Sequence, residues 1–86
     1  MKQTRQKIDA TDKKLIALLA ERAGLSVKLG KIKKREGLPV QDKKREADML
    51  AEIEKTAKKH GLNPLFVKKL YAEILKESRK IQSNEK

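Results

Sequence analysis

The 86-residue sequence contains no cysteine, and it has two prolines, four glycines and two aromatic residues, Phe66 and Tyr71. Without cysteine, disulfide bonds and thiolate–metal sites are excluded. The sequence has no run of about 18 apolar residues, and its opening MKQTRQKID lacks the apolar core of a signal peptide. We therefore predict a cytoplasmic protein with no membrane partner.

Hydrophobic residues make up only 37% of the chain, and an excess of Lys and Arg over Asp and Glu gives a net charge of +11. A chain this short buries about 60% of its unfolded surface, so a core shared with a second copy would stabilise it. The positive charge favours an anionic partner. Most of the basic residues are scattered lysines, however, which are typical of a solvated surface.

The spacing of apolar residues predicts an all-α fold with three helices in a single domain, residues 1–86. We expect helices over about 4–36, 43–60 and 64–82, and a frayed tail over 83–86.

Local signals set these boundaries. The segment Gly37–Pro39 is predicted to stop the first helix, and Asp42 is the predicted N-cap of the second. Gly61 follows the end of the second helix, and Asn63 with Pro64 is a strong start signal for the third.

The first helix is predicted to be about 50 Å long. A compact chain of this size has a radius of gyration of about 12 Å, so such a helix needs cover from another copy. In a heptad pattern its apolar seam contains Ile8, Leu15, Leu18, Leu25, Leu29 and Ile32.

Arg22 occupies one of the seam positions. Burying an arginine without a partner costs several kcal/mol. The partner is either a carboxylate such as Glu21 or Glu46, water reached by snorkelling, or an anionic ligand.

Other polar side chains also lie on apolar faces. Lys33 follows Arg22 on nearly the same face, about 16 Å along the helix axis. Ser78 and Gln82 continue the apolar face of the third helix, and Glu46 that of the second. Each residue also has a simpler explanation. Lys33 could be an exposed lysine, Ser78 and Gln82 could belong to a fraying helix end, and Glu46 could balance charge at the start of the second helix. Together they predict a pocket between helices, which is where bundles commonly build sites.

The sequence shows no Gly-rich phosphate loop, no zinc-binding HExxH motif and no nucleophile triad. The single histidine, His60, is interpreted as an exposed residue at a helix end. Any chemistry in the pocket would therefore rest on charge stabilisation and positioning.

Five short motifs occur in order along nearly the whole chain: R-x-x-I-D-x-x-D from Arg5, L-L-x-E-R ending at Arg22, G-K-x-K ending at Lys33, P-V-x-D-x-x-R-E ending at Glu46, and S-x-x-x-Q ending at Gln82. With these motifs the chain resembles the all-helical chorismate mutases of the bacterial and archaeal type. The resemblance implies an intertwined homodimeric helical bundle. It also implies the pericyclic conversion of chorismate to prephenate, in phenylalanine and tyrosine biosynthesis, without a cofactor or metal.

The resemblance further implies the site residues. Arg22 would hold a substrate carboxylate, while Lys33 and Gln82 would hydrogen-bond the ether oxygen, and these three are the catalytic candidates. The substrate-binding candidates are Arg5, Asp42, Arg45, Glu46 and Ser78. Arg5 and Arg22 lie about 25 Å apart on one helix, too far for one small ligand. In the family, the arginine matching Arg5 comes from the partner subunit.

Three alternatives stay open. The first is an isochorismate pyruvate lyase on the same fold, against which the second-helix motif D-x-x-R-E argues. The second is a non-catalytic basic module that binds nucleic acid, whose affinity would fall steeply with salt. The third is a regulatory domain. We predict chorismate and a second copy of the chain as partners, and no nucleic acid.

Overall fold

The computed structural model describes residues 1–84 as three α-helices: α1 (Lys2–Glu36), α2 (Lys43–Lys59) and α3 (Pro64–Ser83). The prediction of an all-helical chain with three helices is confirmed. Helix α1 begins two residues before its predicted start, α2 ends one residue early and α3 one residue late. Ser83, placed in the frayed tail by the sequence, ends α3, and Asn84 is its C-cap. The last two residues of that predicted tail lie outside the described residues.

The predicted start and stop signals act as expected. Gly37 ends α1 in the left-handed conformation, with φ of 70°, which glycine adopts without steric cost. The Asp42 carboxylate caps α2 by accepting a hydrogen bond from the Arg45 backbone N–H at 3.0 Å. The Asn63 side chain caps α3 by accepting from the backbone N–H groups of its first turn, just after Pro64.

Helix α3 is central, because it packs against both α1 and α2, whereas α1 and α2 do not pack against each other within residues 1–84. Helix α1 has 35 residues and extends past the other two. The molecule therefore measures 52 × 25 × 15 Å, with a radius of gyration of 15.6 Å. A compact chain of this length would have a radius of about 12 Å.

One chain buries very little apolar surface. Among the described residues only Ala57, Val67 and Leu75 are buried hydrophobics, and no large side chain is fully buried. The six seam residues of α1 are between 39% and 61% exposed: Ile8, Leu15, Leu18, Leu25, Leu29 and Ile32. The seam predicted for α1 is thus present but is only partly covered by its own chain.

Within residues 1–84, no helix is both long enough and apolar enough to cross a membrane.

Candidate active site

A cavity of about 300 Å³ lies where the second half of α1, the start of α2 and the end of α3 come together. Seven of the eight residues predicted for a site line it: Arg22, Lys33, Asp42, Arg45, Glu46, Ser78 and Gln82. Arg5 does not line it, because it lies near the N-terminus of α1, about 25 Å along the helix from Arg22.

Lys33 and Gln82 form a fixed pair in this cavity. The Lys33 ammonium donates to Gln82 Oε1 at 2.7 Å and to the Val40 carbonyl at 2.6 Å. Because lysine is only a donor, Gln82 must turn its carbonyl oxygen to Lys33 and its amide nitrogen away from it. Two of the three ammonium hydrogens are used, so one stays available for a ligand.

The amide nitrogen of Gln82 donates to Ser78 Oγ at 3.1 Å. Ser78 Oγ in turn lies 2.7 Å from Ser26 Oγ on α1. Ser26, Ser78 and Gln82 are 5%, 7% and 6% exposed, so this network is buried. The simpler explanation for Ser78 and Gln82, a fraying helix end, is therefore wrong.

Arg22 is half-buried on α1 and makes no hydrogen bond or ion pair within residues 1–84. Neither Glu21 nor Glu46 serves as its partner, although both were alternatives in the sequence. Glu46 instead accepts from Arg79 Nη1 at 2.5 Å. A half-buried cation without a carboxylate favours an anionic ligand, since such a charge is costly without compensation.

The start of α2 supplies the remaining polar groups. Asp42 and Arg45 are exposed at the mouth of the cavity, and Asp42 is occupied as the N-cap. Glu46, in the first turn of α2, is held by the ion pair with Arg79 of α3, whose side chain is 29% exposed against 20% for Glu46. The carboxylate of Glu46 is therefore fixed in position at the cavity wall.

The charges around the cavity favour a small dianion. Its lining includes four basic side chains and two acidic ones, a net formal charge of +2. The basic residues come from all three helices: Arg22, Lys33, Arg45 and Arg79.

Three cavity residues that contribute polar groups were not predicted from the sequence: Ser26, Val40 and Arg79. Ser26 lies four residues after Arg22 and seven before Lys33, so helical periodicity places it on their face. Arg79 had no such signal, because a basic residue on a helix is usually solvated. Val40 contributes a backbone carbonyl, for which side-chain patterns give no information.

A second cavity of similar volume lies on the other side of the contact between α1 and α3. Arg22, Ser26 and Ser78 line both cavities, so the two serines form part of the wall between them. His60 is exposed as the C-cap residue of α2 and lines neither cavity. Within residues 1–84, no three His, Cys, Asp or Glu side chains cluster closely enough to hold a metal ion.

The family model described as "Chorismate mutase type II" matches residues 4–83. The chorismate mutase of Methanocaldococcus jannaschii is 31% identical over 78 residues, which is 91% of this chain and 79% of that protein.

Longer relatives also match. The bifunctional chorismate mutase/prephenate dehydratase of Escherichia coli K12 is 42% identical over 74 residues, 86% of this chain and 19% of that protein. The T-protein of Haemophilus influenzae is 33% identical over 78 residues, 91% of this chain and 21% of that protein. The chain thus spans about a fifth of the length of these bifunctional and T-protein relatives. The resemblance drawn from the five motifs is confirmed.

Proposed function

The chain belongs to the chorismate mutase type II family, and on this basis we propose that it converts chorismate to prephenate in the cavity between α1, α2 and α3. The observation that carries the proposal is Arg22, a half-buried cation with no acidic partner among residues 1–84, beside the fixed pair of Lys33 and Gln82. Chorismate carries two carboxylates, which matches the net charge of +2 around the cavity.

In this rearrangement the ether C–O bond of the enolpyruvyl arm breaks while a C–C bond forms between that arm and the ring. No proton, electron or second substrate enters. Negative charge grows on the ether oxygen in the transition state, so donors aimed at that oxygen lower the barrier. Lys33 has one N–H left for it, and Gln82 has one amide N–H beyond its bond to Ser78.

The other side chains bind and orient the substrate. Arg22 is suited to a bidentate contact with one carboxylate. Holding the flexible arm over the ring lowers the activation free energy substantially. Glu46, kept in place by Arg79, would accept a hydrogen bond from the ring hydroxyl of the substrate. The same hydroxyl would also contact the backbone of Asp42. Arg45 and Ser78 would be supporting residues of the pocket.

The proposal includes a homodimer with shared sites. Six Leu and Ile side chains of the α1 seam are about half exposed, and covering each would contribute about 1 kcal/mol. A second α1 packed along this seam would bring Arg5 of the partner subunit to the cavity, where its own chain does not place it. The role in phenylalanine and tyrosine biosynthesis and the predicted cytoplasmic location belong to the same proposal.

The proposal is tested by mixing the purified protein with chorismate and following the loss of its absorbance. Prephenate is then identified by its conversion to phenylpyruvate in acid. We expect turnover in the wild type, and loss of nearly all of it in Arg22→Ala. Arg35→Ala is the matched control, because Arg35 lies on α1 but does not line the cavity.

A folded dimer that leaves chorismate unchanged would refute the proposal. Release of pyruvate from isochorismate by the same sample would then identify the lyase alternative. Arg22→Ala with unaltered kcat and KM would refute the site assignment alone.

A further inference from the structure

Buried hydroxyl groups join α1 to α3 directly behind the Lys33–Gln82 pair. Ser26 of α1 is 5% exposed, and the only hydrogen-bond partner of its hydroxyl within residues 1–84 is Ser78 Oγ, at 2.7 Å. Ser78 Oγ is also the acceptor for the Gln82 amide nitrogen. Within the described residues, the hydroxyl of Ser26 is therefore linked by hydrogen bonds to the proposed catalytic group through Ser78.

Hydroxyl side chains elsewhere in these helices behave differently. Each of three donates to the backbone carbonyl four residues earlier, at 2.9 to 3.0 Å: Thr11, Thr56 and Ser83. This local bond is the usual choice of serine and threonine inside a helix. Ser26 and Ser78 instead bond each other. Something must therefore hold Ser78 away from the carbonyl of Ile74, its own local acceptor.

We propose that Ser26 is a positioning residue that keeps Ser78 Oγ turned toward Gln82, and so fixes the amide of Gln82 for the reaction. The amide is then held at both ends, by Lys33 on its oxygen and by Ser78 on its nitrogen. This inference rests on the proposed function, because it concerns the group that would meet the ether oxygen.

Removing the Ser26 hydroxyl has a defined consequence. Ser78 loses its partner across the helix contact and can rotate to donate to the Ile74 carbonyl, as Ser83 does with Arg79. The nitrogen end of the Gln82 amide then has no fixed acceptor. Because one hydrogen bond is lost from the orienting network, we expect kcat of Ser26→Ala to fall about three- to tenfold.

Combining Ser26→Ala with Ser78→Ala distinguishes a positioning role of Ser26 from a packing role. If Ser26 acts through Ser78, then Ser26→Ala lowers kcat in the wild type but not in a Ser78→Ala background. If the hydroxyl only fills space, the two losses add, because the void it leaves is the same in both backgrounds. Ser83→Ala is the matched control, since Ser83 is an exposed serine of α3 outside the cavity.

A readout without substrate tests the same idea by nuclear magnetic resonance. The side-chain amide signals of Gln82 are assigned by their absence in Gln82→Glu. We expect Ser26→Ala to shift them toward the positions of the exposed Gln3 and Gln41, and Ser83→Ala to leave them in place.

Unchanged Gln82 signals in Ser26→Ala would overturn the proposal, and so would additive losses of kcat. If the wild type showed no turnover of chorismate while the signals moved as expected, the proposed reaction would fail and the positioning role would stand.

Discussion

Replacing Lys33 by alanine tests whether this residue serves the proposed reaction or the stability of the fold. The ammonium donates to Gln82 and to the carbonyl of Val40, and its third hydrogen is the proposed donor to the ether oxygen. Loss of one donor to a developing oxyanion typically lowers kcat by about 10²- to 10³-fold. We expect a loss in this range for Lys33→Ala.

The expected cost to stability is smaller, about 2 kcal/mol, than the roughly 2.7–4 kcal/mol that this loss of kcat represents. Two part-buried hydrogen bonds are removed, each worth about 1 kcal/mol. For a chain of this size, 1 kcal/mol shifts Tm by about 4–8 °C. Thermal unfolding and kcat are measured at one fixed protein concentration, because dimerisation makes Tm depend on concentration.

Lys34→Ala is the matched control, since Lys34 is the next residue on α1, is exposed and does not line the cavity. It should leave both kcat and Tm near the wild type. A kcat for Lys33→Ala within threefold of the wild type would refute the role of Lys33 in charge stabilisation. A loss of helical signal at the assay temperature would show that Lys33 is needed mainly for folding.

Two further predictions concern Gln82 and the two distant arginines. In Gln82→Glu only a protonated carboxyl can donate to the ether oxygen, and an ordinary glutamate has a pKa of about 4.3. We therefore expect kcat of this variant to rise as the pH falls toward 5. A flat pH profile would contradict the assignment. Arg5→Ala and Arg22→Ala should each be inactive alone. An equal mixture of the two variants, after subunit exchange, should recover about a quarter of the wild-type activity, because half of the dimers are heterodimers with one intact site of two. No recovery of activity would argue against shared sites.

The helices were predictable because their ends are marked by residues with strong backbone preferences. Gly37, Asp42 and Pro64 each act through local geometry, which does not depend on the rest of the fold. Arg22 and Gln82 were predictable for a different reason: each interrupts an apolar face, and such an interruption needs a partner.

Contacts between helices were less predictable. The ion pair of Glu46 with Arg79 joins residues 33 positions apart, and nothing in helical periodicity selects that arginine from the other basic residues. Val40, whose carbonyl accepts from Lys33, lies in the segment that connects α1 and α2. The position of Arg5 relative to the cavity depends on a second copy, so it stays a prediction.

The central position of α3 and the sequence separation of its contacts predict an order of assembly. Helices α2 and α3 are joined by a short connection, so they can form a hairpin through local contacts, which are quick to make. The bonds from Ser26 to Ser78 and from Lys33 to Gln82 span 52 and 49 residues, and a loop of that length must close before they form. A folding intermediate that holds only the α2–α3 hairpin would be strongly helical and yet contain no cavity, so helix content is a poor measure of how many molecules have completed the site.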